Sequence, residues 1–255
     1  MPVSVAIVAQ DEEKRIPHCL STLAFAQEVL VVDSGSRDRT VEIARSHGCR
    51  VISEPWRGYA RQKQFAVDNC ENRWVLILDA DEQVPVETGR SIRRITDSPD
   101  PRFSAYSLLR KNFFHDRWIR HCGWWSERVV RLVDRRRGRF NDRLVHEQWI
   151  ADGEVGELDM AIEHRSFQSY SDLIKKMDTY STLAALDMLR RGRRSGWWSP
   201  ISHGTWMFFR TYLLELGVME GFDGFMISVL NGGGSFLKYA KLREMLLFPS
   251  TPEDQ

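Results

Sequence analysis

The chain opens with a short apolar, β-branched run, Val3-Ser4-Val5-Ala6-Ile7-Val8-Ala9, cut off by Asp11-Glu12-Glu13-Lys14. A run of that length stopped by charge reads as a strand buried on both faces and ending in a loop. The pattern then repeats. A helix is expected over Ile16 to Leu23, and a second strand, Val29-Leu30-Val31-Val32, ends at Asp33-Ser34-Gly35-Ser36. Thr40 to His47 has helical spacing with Gly48 as a stop, followed by a third strand at Arg50-Val51-Ile52. A helix over Tyr59 to Asn69 leads to a fourth strand, Trp74-Val75-Leu76-Ile77-Leu78, which runs into Asp79-Ala80-Asp81-Glu82.

Four successive β-then-α units predict an α/β fold: a Rossmann-like, mostly parallel sheet with helices on both faces. Right-handed crossovers place the loops after each strand along one sheet edge, where such folds bind ligands. Asp11, Glu12, Asp33, Asp79 and Asp81 all fall on that edge. Beyond Glu82 the pattern loosens, with strands expected at Tyr106 to Leu109, Val129 to Val133 and Asp159 to His164. A helix is expected over Ser171 to Leu189, followed by apolar stretches broken by glycines. The expected division is a catalytic domain over 1–168 and a C-terminal helical extension over 169–255, in contact with a membrane or another subunit.

Composition changes this picture little. With 42% hydrophobic and 28% charged residues among 255, the chain suits a globular protein. The net charge of +1 hides a basic stretch from Arg102 to Arg143, with 12 Arg or Lys against 4 Asp or Glu, and a cluster at Arg190, Arg191, Arg193 and Arg194. Such patches suit phosphate-rich partners or an anionic membrane surface, the plain alternative being a solvated face. Cys19, Cys49, Cys70 and Cys122 lack metal-site spacing and read as reduced thiols of a cytoplasmic protein. No basic leader and no long apolar span is visible, so neither a cleaved signal nor a transmembrane helix is expected.

Asp79 and Asp81 carry the candidate chemistry. Where the backbone stays extended past a strand, side chains two apart project to one side. Hard cations such as Mg²⁺ or Mn²⁺ take carboxylate oxygens together with substrate phosphates. Asp33, before the small turn Ser34-Gly35-Ser36, is placed to accept from a nucleobase or ribose, or to hold that turn, with Asp38 capping the next helix.

The segments Ile7-Val8-Ala9-Gln10-Asp11-Glu12-Glu13, Val31-Val32-Asp33-Ser34-Gly35-Ser36-Arg37-Asp38-Arg39-Thr40 and Leu78-Asp79-Ala80-Asp81-Glu82 together resemble family 2 glycosyltransferases of the GT-A fold. Trp56-Arg57-Gly58-Tyr59-Ala60-Arg61-Gln62-Lys63, Arg117-Trp118-Ile119-Arg120-His121, Val145-His146-Glu147 and Phe236-Leu237-Lys238-Tyr239-Ala240-Lys241-Leu242 resemble the bacterial lipopolysaccharide core glucosyltransferases more narrowly. The likeness covers nearly the whole chain. One departure is Asp11, where the family usually has Asn.

The resemblance implies a UDP-sugar donor, a divalent metal and transfer of a hexose, glucose foremost, with inversion. The implied acceptor is a lipid-linked core glycan at the cytoplasmic face of the inner membrane. It assigns Glu12 and Asp33 to the base and ribose, Asp79 to the ribose or metal, Asp81 to the metal, and Lys63 to the diphosphate. Inversion needs a carboxylate to deprotonate the acceptor hydroxyl. Glu147 is the candidate, with His146 beside it and Glu127 second; His164 is a possible further metal ligand. Trp118, Trp124 and Trp125 suit sugar faces or a core, with core packing expected for at least one of them. The C-terminal aromatics, from Trp197 to Tyr239 among basic residues, suit a bilayer headgroup layer or a packed interface.

Alternatives at this point are a transferase acting on a peptide, lipid or capsular glycan, or a non-catalytic nucleotide-sugar-binding module. A nucleotidyltransferase would want a glycine-rich basic loop where Gln10-Asp11-Glu12-Glu13 is acidic, and no nucleic-acid motif appears.

Overall fold

A computed structural model describes residues 1–100, 102–124, 127–141 and 147–248. Contacts divide the chain into two compact units, Met1–Lys111 with Ser126–Ser166, and Asn112–Trp125 with Phe167–Gln255.

In the first unit the sequence alternates β1 Val3–Ala9, α1 Ile16–Leu20, β2 Glu28–Asp33, α2 Thr40–Ser46, β3 Arg50–Ser53, α3 Tyr59–Asp68 and β4 Trp74–Asp79. Then follow β5 Glu82–Gln83, α4 Val86–Asp97, β6 Phe103–Phe114, β8 Glu127–Asp134, β9 Gly138–Phe140, β10 Trp149–Ala151 and β11 Glu154–Phe167, while β7 Arg117–Trp118, between β6 and β8, falls in the second unit. The sheet order is β3-β2-β1-β4-β8-β6-β11-β5, with β7 paired to β6, while β9 and β10 form a separate hairpin. The pairings β3·β2, β2·β1 and β1·β4 are parallel. From β4·β8 outward the ladder turns antiparallel.

Alternation along the central strand makes two cores. Val3, Val5, Ile7 and Ala9 pack with Ile16, Cys19, Leu20 and Ala44 from α1 and α2. Ala6, with Leu30, Val32, Val75 and Ile77, packs against Ala66, Val67 and Cys70 on and beside α3. Helices therefore cover both faces of the parallel half, the expected α/β arrangement. Each fully buried Val, Leu or Ile here contributes about 1.5–3 kcal/mol of transfer free energy.

The antiparallel strands are longer than their apolar signal. β6 and β11 extend well past Tyr106–Leu109 and Asp159–His164, because a strand with one wet face carries no continuous apolar run. Helix α4, with Ile92 buried and Val86 exposed, has no counterpart in the expectations; five charged residues among its twelve mask the apolar stripe.

The second unit contains α5 Tyr170–Arg190, α6 Ser199–Phe209, a π turn at Arg210–Leu214, a 3₁₀ turn at Gly217–Glu220 and α7 Gly221–Leu247. Phe114, Ile119, Cys122, Leu173 and Ile227 form its core. The run Gly232-Gly233-Gly234 does not break α7. A Cβ on Gly204 would lie 2.9 Å from Phe236 Cβ, and one on Gly232 would lie 3.0 Å from Gly204 O. These glycines are where α6 and α7 touch backbone to backbone. Among the described residues no helix is long and apolar enough to cross a membrane.

Candidate active site

The parallel register sets the site. Ala9 pairs with Asp33, and Val8 pairs with Asp79. The two acids thus flank the end of β1 on a single sheet rim, with strands about 4.8 Å apart. Each half of that rim neutralises its carboxylates differently.

On the β2 side, backbone amides do so for Asp11, Asp33 and Asp38. Asp33 is 4% exposed. Its carboxylate accepts from the Gly35 amide at 3.1 Å and the Ser36 amide at 3.2 Å. Gly35 adopts φ +96°, a region an L side chain rarely enters, which lets the chain turn back over Asp33. Asp11 has φ +55°, and its Oδ1 accepts from the Arg37 amide at 2.7 Å while its own amide donates to Ser36 Oγ at 2.9 Å. Asp, like Asn, tolerates this left-handed backbone, so the departure at Asp11 keeps the loop geometry. The Glu12 amide donates to Thr40 Oγ1 at 2.8 Å, and Asp38 accepts from the amides of Glu13 at 3.0 Å and Thr40 at 2.9 Å. Asp38, one residue ahead of the N-cap Arg39, thus fastens the turn that enters α2. The Glu12 carboxylate pairs with Arg15 at 3.0 Å.

On the β4 side, cations do the same work. Asp79 Oδ1 lies 2.9 Å from Lys63 Nζ, and Oδ2 lies 2.8 Å from Arg131 Nη2. Lys63 Nζ also reaches Glu147 Oε1 at 2.9 Å. Arg131 meets Glu82, which is fully buried, at 2.5 Å, and Glu82 Oε2 accepts from the Asp79 amide at 3.0 Å. Burial opposes ionisation of Asp79, but the charges of Lys63 and Arg131 outweigh it and hold the carboxyl well below the usual range. Burial also works against the Lys63 ammonium; Asp79 and Glu147 overcome it and raise its pKa. Glu82 moves the other way, pushed up by burial and by Asp79 against the pull of Arg131.

The chain turns at Ala80 and Asp81 instead of staying extended, so Asp79 and Asp81 have separate surroundings. Asp81 Oδ1 lies 3.6 Å from His164 Nε2, and the Arg165 amide donates to Asp81 O at 2.9 Å. β11 delivers His164 through its pairing with Glu82. Among the described residues no group of three or more His, Cys, Asp or Glu side chains surrounds one point.

Lys63, Asp79 and Glu147 thus meet, as do Asp81 and His164, while Glu12 and Asp33 occupy the other half of the rim. Glu127 pairs with Arg110 at 2.6 Å. Trp124 stacks on Phe167, with ring centroids 5.4 Å apart, and packs on the core of the second unit. Arg120 lies over the Trp118 ring at 4.6 Å. Trp125, Arg143, Val145 and His146 lie outside the described residues. Sequence reasoning missed the roles of Arg131 and Glu82. The available signal was the lone cation inside Val129-Val130-Arg131-Leu132-Val133, since a buried charge demands a partner.

A family model described as "Glycosyl transferase family 2" matches residues 4–140, a span that carries Glu12, Asp33, Lys63, Asp79 and Asp81 but not Glu147 or His164. An uncharacterized glycosyltransferase of Rickettsia felis is 32% identical over 257 residues, covering 96% of this chain and 90% of its own. The lipopolysaccharide core biosynthesis glycosyltransferase LpsC of Rhizobium meliloti is 27% identical, covering 99% of this chain and 96% of its own. Among solved structures, glucosyl-3-phosphoglycerate synthase from Mycobacterium tuberculosis, in complex with Mn²⁺, UDP and glucosyl-3-phosphoglycerate, superposes with a TM-score of 0.47 at 16% identity, over 76% of this chain and 81% of that one. With the family model matching more than half its length and a relative above 30% identity along nearly all of it, this chain belongs to glycosyl transferase family 2.

Proposed function

We propose that the chain transfers a hexose, glucose from UDP-glucose foremost, with inversion onto a lipopolysaccharide core sugar. The observation that carries this reading is the Lys63 ammonium held between Asp79 and Glu147 at the rim of a family 2 sheet. A cation already balanced by two carboxylates can turn to a phosphate that enters between them. Glu12 and Asp33 border the nucleoside side of the rim. Glu147, released from Lys63, becomes the base that takes the acceptor hydroxyl proton. In this reading residues 1–168 form the catalytic domain and 169–255 a C-terminal helical extension that contacts a membrane or another subunit.

The donor set at Asp81 fits a divalent cation, because a carboxylate and an imidazole stand side by side. Both Asp79 oxygens accept from cations, which makes Asp81 the principal ligand and leaves Asp79 to steer Lys63 toward the diphosphate or to join the metal. Mg²⁺ or Mn²⁺ there would offset charge on the departing diphosphate.

A lipid-linked acceptor is supported by the second unit. Trp197, Trp198, Trp206, Phe209, Phe222 and Phe248 are exposed there. So are Arg190, Arg191, Arg193 and Arg194, and this mix of aromatic and basic side chains suits the headgroup layer of an anionic bilayer. We place the protein at the cytoplasmic membrane surface on that ground. Incubation with labelled UDP-glucose, Mn²⁺ and lipopolysaccharide cores truncated at successive sugars tests the reading. Label entering one core type supports it; failure of any nucleotide sugar to bind would refute it.

A further inference from the structure

A groove of about 460 Å³ opens on the outer face of α3, against β9, entirely within the first unit. That volume lies in the range of small-molecule sites, about 300–1,000 Å³. Its walls carry three guanidiniums, Arg57, Arg61 and Arg139, and two aromatic rings, Phe65 and Phe140. Arg57 is committed, through an ion pair with Glu54 and a position 5.8 Å over the Phe65 ring. Arg61 and Arg139 are exposed, and among the described residues neither has an ion pair. Within the basic stretch from Arg102 to Arg143, Arg102, Arg110, Arg117, Arg128 and Arg131 are paired with carboxylates, whereas Arg120 lies over Trp118 and Arg135 donates to the carbonyls of Asp68 and Glu71. One acid, Asp68, lines the groove, and its Oδ1 accepts from Gln64 Nε2 at 2.8 Å. The other end of Gln64 accepts from the Phe140 amide at 2.8 Å, which fastens β9 to α3 and fixes the groove's width.

Two guanidiniums lining one groove without carboxylate partners among the described residues suit a doubly charged acceptor of several hydrogen bonds, and phosphate is such a group. The aromatic rings beside them suit the apolar face of a sugar. Arg61 and Lys63 lie on the same helix, about 200° apart around an element roughly 10–12 Å across with its side chains, so the groove and the Lys63 cluster lie on opposite faces of α3.

We propose that the groove between α3 and β9 binds a phosphate ester carried on a sugar of the acceptor glycan, with Arg61 and Arg139 as its ligands. The assignment to the acceptor rests on the transferase reading above; the binding itself does not.

The test is calorimetric titration of the full chain with glucose 6-phosphate, inorganic phosphate and glucose, each in the presence of saturating UDP and Mn²⁺ to keep phosphate out of the donor site. Glucose 6-phosphate should bind at least tenfold more tightly than inorganic phosphate, and glucose should not register. Arg61→Gln combined with Arg139→Gln should weaken glucose 6-phosphate at least tenfold while the unfolding midpoint and UDP affinity stay at wild-type values. Equal binding by the double variant, equal affinities for the two phosphates, or no binding of glucose 6-phosphate would each overturn the proposal. A wild-type chain that does not bind UDP would remove the donor assignment instead, and the sugar-phosphate titration would still decide the groove.

Discussion

The two halves of the sheet rim hold the same kind of group by different means. Beside β2, Asp33, Asp38 and Asp11 accept from backbone amides of their own and neighbouring loops. Beside β4, Asp79, Glu82 and Glu147 are matched by Lys63 and Arg131. Amides cannot leave, so the first half is a fixed frame. A lysine on a flexible stem can change partners, so the second half is the one that the proposed donor diphosphate would rebalance. The difference teaches that acidity at a strand end does not by itself say whether a carboxylate is scaffold or chemistry; its partners do.

Substitutions can sharpen or break this comparison. The largest effect is expected at Glu147→Gln: turnover should fall by about 10²–10⁴-fold, the usual worth of a general base, while UDP affinity measured by titration persists. Unimpaired turnover would move the base to Glu127. Arg131→Met should come next. It leaves Glu82 buried without its cation, a loss of about 3–5 kcal/mol in denaturant unfolding.

Asp79 supplies a pH signature. Its folded pKa lies below the unfolded value, so its stabilising contribution is complete above the ordinary aspartate range and disappears as pH falls through the folded value. The unfolding free energies of wild type and Asp79→Asn should therefore differ most near neutrality and draw together below about pH 4. A gap independent of pH would contradict the ion-pair account. The smallest effect is expected on the amide side, where Asp38→Ala should cost about 1 kcal/mol of stability through loss of its hydrogen bonds to the Glu13 and Thr40 amides.

Much of the first half could be read from the sequence. Short apolar strands ending in Asp11-Glu12, Asp33 and Asp79 give their order and their common edge, because parallel crossovers leave no other place for the loops. The acidic loops also carry their own turn chemistry: Gly35 follows Asp33, and Asp38 precedes Thr40. The second half was less accessible. Its cations arrive from α3 and β8, some 70 residues apart in the chain, and no local spacing rule joins Lys63 to Arg131. The turn at Ala80 and Asp81 separates two acids that an extended backbone would have aligned. Helix α4 and the ends of β6 and β11 were obscured because partly solvated elements lack continuous apolar runs. In the second unit the run Gly232-Gly233-Gly234, which looks like a breaker, stays helical and packs closely, Gly232 against Gly204 of α6 and Gly233 and Gly234 against Met177 of α5.

Hydrogen exchange of the full chain, with and without UDP and Mn²⁺, tests most directly whether these distant loops form one donor site. Peptides covering residues 10–15, 33–40, 59–64 and 79–83 should slow together on addition of nucleotide. Protection confined to a single one of these segments, or found only elsewhere in the chain, would contradict the account.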